Sequence, residues 1–251
     1  MALVVAAVLA VLVFTNLGKV QGAALATPGP PSQGSTGYDC GVPAVGPLCQ
    51  GVSTWVGGFE GARTSVTVSA ASPGDGCVYT EEWLYEVGPE VGIQAGYRVC
   101  QGMGYADWFW GEEKPGSGKS DLGDSRPLLR SDLGWPATID IHRIGPQAFV
   151  ILIMAHSGTV LTAVSSGYVL HPTKIEIGTT LSGSHGARQV ATPFRDNQYQ
   201  AAGQRSWSYE TQDVVAGRQP VDGPVFARWE GLPPSSSQRG GVLVTCVGQT
   251  C

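Results

Sequence analysis

Short stretches in which apolar and polar residues alternate recur along most of this chain of 251 residues. Apolar residues at every second position predict strands with one buried and one polar face. Glycines and prolines separate these stretches, and no convincing apolar period of 3.6 residues predicts a helix. The pattern predicts strands at 65–70, 79–87, 91–99, 138–144, 149–155, 159–164, 174–178 and 241–246.

Many short strands between glycine- and proline-rich turns predict an all-β fold. We expect an antiparallel β-sandwich, jelly-roll-like, with two sheets packed face to face. Two regions carry little strand signal. Residues 112–130 are charged and rich in Gly and Ser, which predicts an exposed loop, and residues 212–238 predict an irregular excursion over one face.

The N-terminal region predicts export. Residues 3–14 are almost wholly apolar, and Ala24-Leu25-Ala26 matches a small-residue cleavage site. We therefore expect a secretory signal at 1–26, with an uncleaved anchor as the alternative. Residues 27–53 are expected to form a linker and a cysteine-closed loop, and residues 54–251 the sandwich domain. The mature protein is then secreted and leaves the membrane after signal cleavage.

The six cysteines of an exported chain predict disulfides. Proximity in the sequence suggests the pairs Cys40–Cys49, Cys77–Cys100 and Cys246–Cys251, among other possible connectivities. No C-x-x-C motif occurs and no histidine lies at ligand spacing from a cysteine pair, so we expect no metal and no cofactor. The net charge of −5 does not suggest a nucleic-acid partner, and we expect a monomer.

Two polar residues stand out on the polar faces of predicted strands. Gln94 lies between Ile93 and Ala95, and Glu176 lies between Ile175 and Ile177. Both side chains are therefore expected to point away from the apolar face of their strand. If the two strands belong to one sheet, both groups project into one polar groove. The alternative is that both simply face solvent.

A cluster of aromatic residues offers a second candidate surface. Trp108 and Trp110 alternate along one strand and share a face with Glu112, and Trp83 lies on an earlier strand. These four residues are candidates for the wall of a sugar- or peptide-binding groove. The alternative is that the rings pack in the core of the sandwich, as aromatic residues at a period of two commonly do.

Six ordered motifs resemble neprosin-type domains and the fungal glutamic peptidases, or eqolisins. G-I-Q-A-G-Y resembles the I-E-A-G-W strand of neprosins, with the glutamine of the eqolisin L-Q-T-G motif at position 94. K-I-E-I-G resembles the neprosin I-E-W-G-G strand and, more loosely, the eqolisin A-E-W. The six motifs begin at Phe59 (F-E-G-A), Glu82 (E-W-L), Gly92 (G-I-Q-A-G-Y), Trp108 (W-F-W), Lys174 (K-I-E-I-G) and Phe194 (F-R-D-N-Q).

This resemblance covers roughly residues 55–199 and implies a β-sandwich with acid endopeptidase activity. It further implies that Glu176 is the base that activates water, that Gln94 is its partner across a groove, and that the substrate is a polypeptide. Two other functions stay open. One is a non-catalytic secreted sandwich that binds glycans or cell-wall polymer through exposed tryptophans, and the other is a structural or interaction module stapled by disulfides.

Overall fold

A computed structural model describes residues 36–39, 48–86, 91–103, 105–114, 120–166, 169–182, 187–209, 225–230 and 242–248. Most of these residues lie in two antiparallel sheets packed against each other. This arrangement confirms the predicted all-β sandwich. Within the described ranges, no helix has both the length and the apolar character to cross a membrane.

The first sheet has seven strands. From one edge to the other they are β1 (Thr36–Asp39), β2 (Leu48–Val56), β12 (Lys174–Ser182), β5 (Cys77–Glu86), β6 (Val91–Cys100), β7 (Asp107–Glu113) and β8 (Ser120–Pro127). The strands predicted as carriers of Glu176 and Gln94 are β12 and β6. They lie in this one sheet, with β5 between them.

The second sheet has nine strands. Seven follow one path, namely β11 (Gly158–Ser166), β10 (Ala148–Ala155), β9 (Pro136–Gly145), β3 (Phe59–Thr67), β13 (Arg188–Ala201), β16 (Val242–Val247) and β15 (Val225–Glu230). Two short strands, β4 (Ala71–Ser72) and β14 (Trp207–Tyr209), pair with β13. A 3-10 turn at Arg130–Asp132 precedes β9.

Each stretch of alternating residues overlaps an observed strand, but some strands lie where none was predicted. The predicted loop at 112–130 contains β8, and the predicted excursion at 212–238 contains β15. Pairing with an established neighbour strand supplies the backbone hydrogen bonds there, although the residues carry no alternating pattern. Strand β2 pairs with β12 over its whole length, so the sandwich begins before residue 54. The expected signal at 1–26 lies outside the described residues.

The core lies between the two sheets and is filled by aliphatic and aromatic side chains. From the first sheet, Ile175, Leu84, Ile93 and Tyr97 face this core and are almost fully buried. Their alternation with polar neighbours fixes which face of β12, β5 and β6 points outward, because successive side chains of a strand point to opposite sides. The opposite face is called the outer face below.

A buried hydrogen-bond network also joins the sheets. The hydroxyls of Thr179 on β12 and Thr245 on β16 lie 2.7 Å apart. The Gln189 amide of β13 donates to the hydroxyl of Thr80 on β5 at 2.7 Å, and Thr179 donates to the Gln189 carbonyl oxygen at 3.2 Å. Slipping β12 or β5 by one residue would break these bonds, so the network fixes the register of the strands that carry the candidate site.

One predicted disulfide is present. Cys77 and Cys100 are bonded to each other and sit opposite one another on β5 and β6. Cys246 is disulfide-bonded as well. The predicted pairs Cys40–Cys49 and Cys246–Cys251 stay predictions, because Cys40 and Cys251 lie outside the described residues.

Replacing both Cys77 and Cys100 by serine is expected to lower the free energy of unfolding by about 2–4 kcal/mol, because the unfolded chain gains conformational freedom. Urea unfolding followed by tryptophan fluorescence measures this difference. An unchanged midpoint and slope for the double variant would contradict the expectation.

Candidate functional site

Gln94 and Glu176 lie on the same outer face of the first sheet, in one row across its strands. Glu176 of β12 is paired with Trp83 of β5, and Trp83 is paired with Gln94 of β6. Neighbouring strands are about 4.8 Å apart, so the two backbones are separated by about 10 Å. Both side chains project from the outer face, one on each side of Trp83.

Glu176 is held by two neighbours. Its Oε1 atom accepts a hydrogen bond of 3.2 Å from the Thr54 hydroxyl, the next residue in the row on β2. The same atom forms an ion pair of 2.6 Å with the Lys174 ammonium, two residues earlier on β12. The Lys174 ammonium in turn lies 4.8 Å from the centre of the Tyr85 ring. These contacts orient the carboxylate through Oε1 and leave Oε2 as the oxygen for another partner.

Both proposed catalytic groups are shielded although they face away from the core. Glu176 is 8% exposed and Gln94 is 5% exposed. Trp83 lies between them, and its ring packs edge-to-face on Tyr85 at 6.3 Å. A polar site with so little contact with water strengthens electrostatic interactions between the groups inside it.

Trp108, Trp110 and Glu112 do not lie on the face of Gln94, which corrects their prediction as groove residues. They are paired with Tyr97, Ala95 and Ile93, and these residues face the core. The alternation of β7 therefore turns Trp108, Trp110 and Glu112 inward and turns Phe109 and Gly111 outward. The residues predicted to line one groove are separated by the sheet itself, and only Trp83 lies beside Gln94.

The tryptophans of β7 are covered rather than exposed. Trp108 is completely buried and packs edge-to-face on Tyr97 at 5.6 Å. The indole of Trp110 packs against the core and lies so close to β8 that a Cβ atom at Gly123 would be 2.2 Å from it. Trp108 and Trp110 had suggested glycan binding through exposed tryptophans. Because both are covered, they no longer support that function.

A second carboxyl on the outer face was missed by the sequence analysis. Glu81 lies two residues before Trp83 and is 1% exposed. Burial, together with the negative charge of Glu176, raises its pKa to about 7. The indole of Trp83 and the hydroxyl of Thr180 act in the opposite direction. Alternation along β5 puts Glu81 on the same face as Trp83. Their spacing of two in the sequence could therefore have identified Glu81 as a candidate site residue.

An ion pair closes the other end of this face. The Arg98 guanidinium of β6 donates to both carboxylate oxygens of Asp107 on β7, at 2.9 and 3.0 Å. Asp107 raises the pKa of Arg98. The same guanidinium lies 5.6 Å from the centre of the Phe109 ring. The outer face therefore holds a fixed charge pair beside aromatic surface, four residues along β6 from Gln94.

Thr54 and Lys174 were also missed as site residues. Lys174 shares the face of Glu176 by its spacing of two, which the sequence shows. The position of Thr54 depends on the pairing of β2 with β12, which local pattern does not reveal. Within the described ranges, no group of three or more His, Cys, Asp or Glu side chains is arranged to hold a metal ion.

The architecture matches solved structures of a known peptidase. The structure of scytalido-glutamic peptidase with a transition state analog inhibitor superimposes with a TM-score of 0.54 at 12% sequence identity. The match covers 78% of this chain and 96% of that chain. This chain has a glutamic peptidase-like fold. A second structure of scytalido-glutamic peptidase, with a peptide-based transition state analog, gives a TM-score of 0.50 at 13% identity and covers 86% of this chain and 98% of the other.

The glutamic peptidase-like fold is established by shape rather than by sequence. No protein-family model matches the sequence. No curated protein matches it either. The resemblance to neprosin-type domains therefore rests on the sequence motifs alone, and at 12–13% identity the structural matches speak for the fold.

Proposed function

We propose that this protein is a secreted endopeptidase of the glutamic type, in which Glu176 and Gln94 hydrolyse peptide bonds without a covalent intermediate. One observation carries the proposal, namely that the two side chains flank Trp83 in a single row on one face of the sheet. The glutamic peptidase-like fold supports it as well.

Glu176 acts first as a base and then as an acid. Its carboxylate takes a proton from water while the water oxygen adds to the scissile carbonyl carbon. The protonated Glu176 then gives this proton to the leaving amine nitrogen as the C–N bond breaks. Thr54 and Lys174 hold Oε1, so Oε2 is the oxygen that meets the water.

Gln94 supports the same step without titrating. Its amide N–H donates a hydrogen bond to the oxygen that becomes negative in the tetrahedral intermediate. Its carbonyl oxygen can accept a hydrogen bond from the attacking water and orient it. Because Gln94 is nearly buried, this hydrogen bond forms in a medium where it is stronger than in bulk water.

The substrate that fits this chemistry is a polypeptide in an extended conformation. An outer sheet face with side chains from β12, β5 and β6 offers a polar centre between aromatic surfaces, Trp83 and Tyr85 on one side and Phe109 on the other. The disulfide Cys77–Cys100 and the apolar N-terminal stretch support secretion, since disulfides persist in oxidising compartments.

Incubating the mature protein with casein or a peptide library between about pH 2 and 6 tests the function, because a carboxyl base works best in an acidic medium. We expect cleavage at internal peptide bonds that neither pepstatin nor a metal chelator inhibits. Retention on polysaccharide without any peptide cleavage would support the glycan-binding alternative and overturn the proposal.

A further inference from the structure

Glu81 occupies the centre of the proposed site. It is paired with Gly178 on β12 and with Gly96 on β6. Glu176 lies two residues before Gly178, and Gln94 lies two residues before Gly96, so both are diagonal neighbours of Glu81 on the same face. Diagonal neighbours across a sheet are about 7–8 Å apart at the backbone, within reach of long side chains.

The two glycines leave the flanks of Glu81 free of side chains. A Cβ atom at Gly96 would lie 2.1 Å from the Thr80 carbonyl oxygen, and one at Gly178 would lie 2.2 Å from the Gly51 carbonyl oxygen. The backbone itself therefore excludes any other residue at both positions. No side chain from the paired positions therefore stands between Glu81 and its diagonal neighbours.

The polar atoms around Glu81 form one buried cluster. Its Oε2 atom, the Trp83 indole Nε1 and the Thr180 hydroxyl are all shielded from solvent. The indole and the hydroxyl lie close enough to the Glu81 carboxyl to act on its pKa. Buried polar groups usually pair with one another in this way, and this cluster lies next to Glu176 on the outer face.

Among the described residues, the cations on the face of Glu81 are already paired. The charged and titratable groups on this face around it are Tyr79 and Tyr85 on its own strand, Glu176 and Lys174 on β12, Arg98 on β6 and Asp107 on β7. Lys174 is paired with Glu176, and Arg98 is paired with Asp107. Burial, with a smaller contribution from the charge of Glu176, raises the pKa of Glu81 to about 7.

We propose that Glu81 is a positioning residue of this site, which is neutral in the active form of the site and which limits activity on the alkaline side when it ionises. This inference rests on the proposed function of Glu176. The reason is electrostatic. Negative charge develops on the substrate oxygen between Glu176 and Gln94, and an ionised Glu81 in a site of low dielectric would repel it.

The pH profile of Glu81→Gln tests this role, because glutamine imitates the neutral carboxyl and cannot ionise. We expect kcat/KM of the variant to stay within about threefold of the unmodified protein in acid and to persist at least about one pH unit further into the alkaline range. The shift should appear in kcat rather than in KM. Glu60→Gln, a change of the same type on the other sheet, should leave the profile unchanged.

Thermal unfolding supplies a second readout that does not depend on peptidase activity. The pKa of Glu81 is raised in the folded state from 4.5 to about 7, so the folded protein holds a proton that the unfolded chain releases. The contribution of Glu81 to stability is therefore fully present below about pH 4.5 and is lost as the pH rises towards 7. Glu81→Gln removes this fall, and its melting temperature should exceed that of the unmodified protein by about 5–10 °C near pH 7.

The outcomes separate the two proposals. Activity in the unmodified protein with an identical pH profile in Glu81→Gln would overturn the role of Glu81 and leave the proposed function standing. No activity at any pH, with the expected melting difference, would overturn the proposed function and leave a buried neutral carboxyl. If the variant fails to fold, ¹³C NMR titration of the unmodified protein decides, since no glutamate carboxyl titrating above about pH 6 would contradict the inference.

Discussion

Glu176→Gln is expected to lower kcat/KM for peptide hydrolysis by about 10²–10⁴-fold, because the amide can neither take a proton from water nor return it to the leaving amine. The loss should appear mainly in kcat, since the contacts of the substrate with Trp83 and Gln94 remain. Initial rates on a fluorogenic peptide at the acidic optimum of the unmodified protein measure the effect.

The control for this variant is Glu60→Gln, which makes the same chemical change at a half-buried glutamate of the second sheet. Glu60 accepts a hydrogen bond from the Gly203 backbone N–H and lies in the other layer of the sandwich. The activity of Glu60→Gln should equal that of the unmodified protein. The melting temperatures of Glu60→Gln and Glu176→Gln should show that both variants fold. Full activity of Glu176→Gln would contradict the proposed mechanism.

Gln94→Ala is expected to lower kcat by about 10²–10³-fold, the typical cost of removing one donor to a developing oxyanion. The matched variant Gln94→Glu distinguishes the loss of the hydrogen-bond donor from the loss of side-chain size. A glutamic acid at this position can donate only when protonated, so its activity should approach that of the unmodified protein below about pH 4 and fall above it.

The pH profiles of the two Gln94 variants, measured on one peptide, test this reasoning. Alanine should depress the rate at every pH, whereas glutamate should depress it only where the side chain is ionised. Equal activity of Gln94→Ala and the unmodified protein would show that Gln94 does not contact the reacting carbonyl, even though it lies in the row of Glu176.

The alternation of apolar and polar residues predicted the strands more completely than it predicted the residues of the candidate site. β6 and β12 were visible because apolar residues alternate with polar ones on half-buried strands. β8 and β15 were missed, since charged or irregular segments become strands only when a neighbour supplies the backbone pairing. The faces of Gln94 and Glu176 followed from their apolar neighbours, and the spacing of two already placed Lys174 beside Glu176, but Thr54 became its neighbour only through the pairing of β2 with β12.

Strand β7 shows most clearly what the alternation of residues along one strand cannot predict. Alternation showed that Trp108, Trp110 and Glu112 share a face, and they do. It could not show which face, because large rings occur on both sides of β7 and either set can fill a core. The pairing of β7 with β6 decides this, since Trp108 lies opposite the buried Tyr97. Phe109 is left on the side of Gln94.

The sequence by itself determined the period of two, and therefore the all-β class and the outward direction of Gln94 and Glu176. It also contained Glu81 two residues before Trp83. Only the tertiary structure decided that β5 lies between β6 and β12, which puts Glu81 diagonal to both proposed catalytic residues and buries it. Strand order and register depend on contacts between distant segments, and a local pattern of side chains does not specify them.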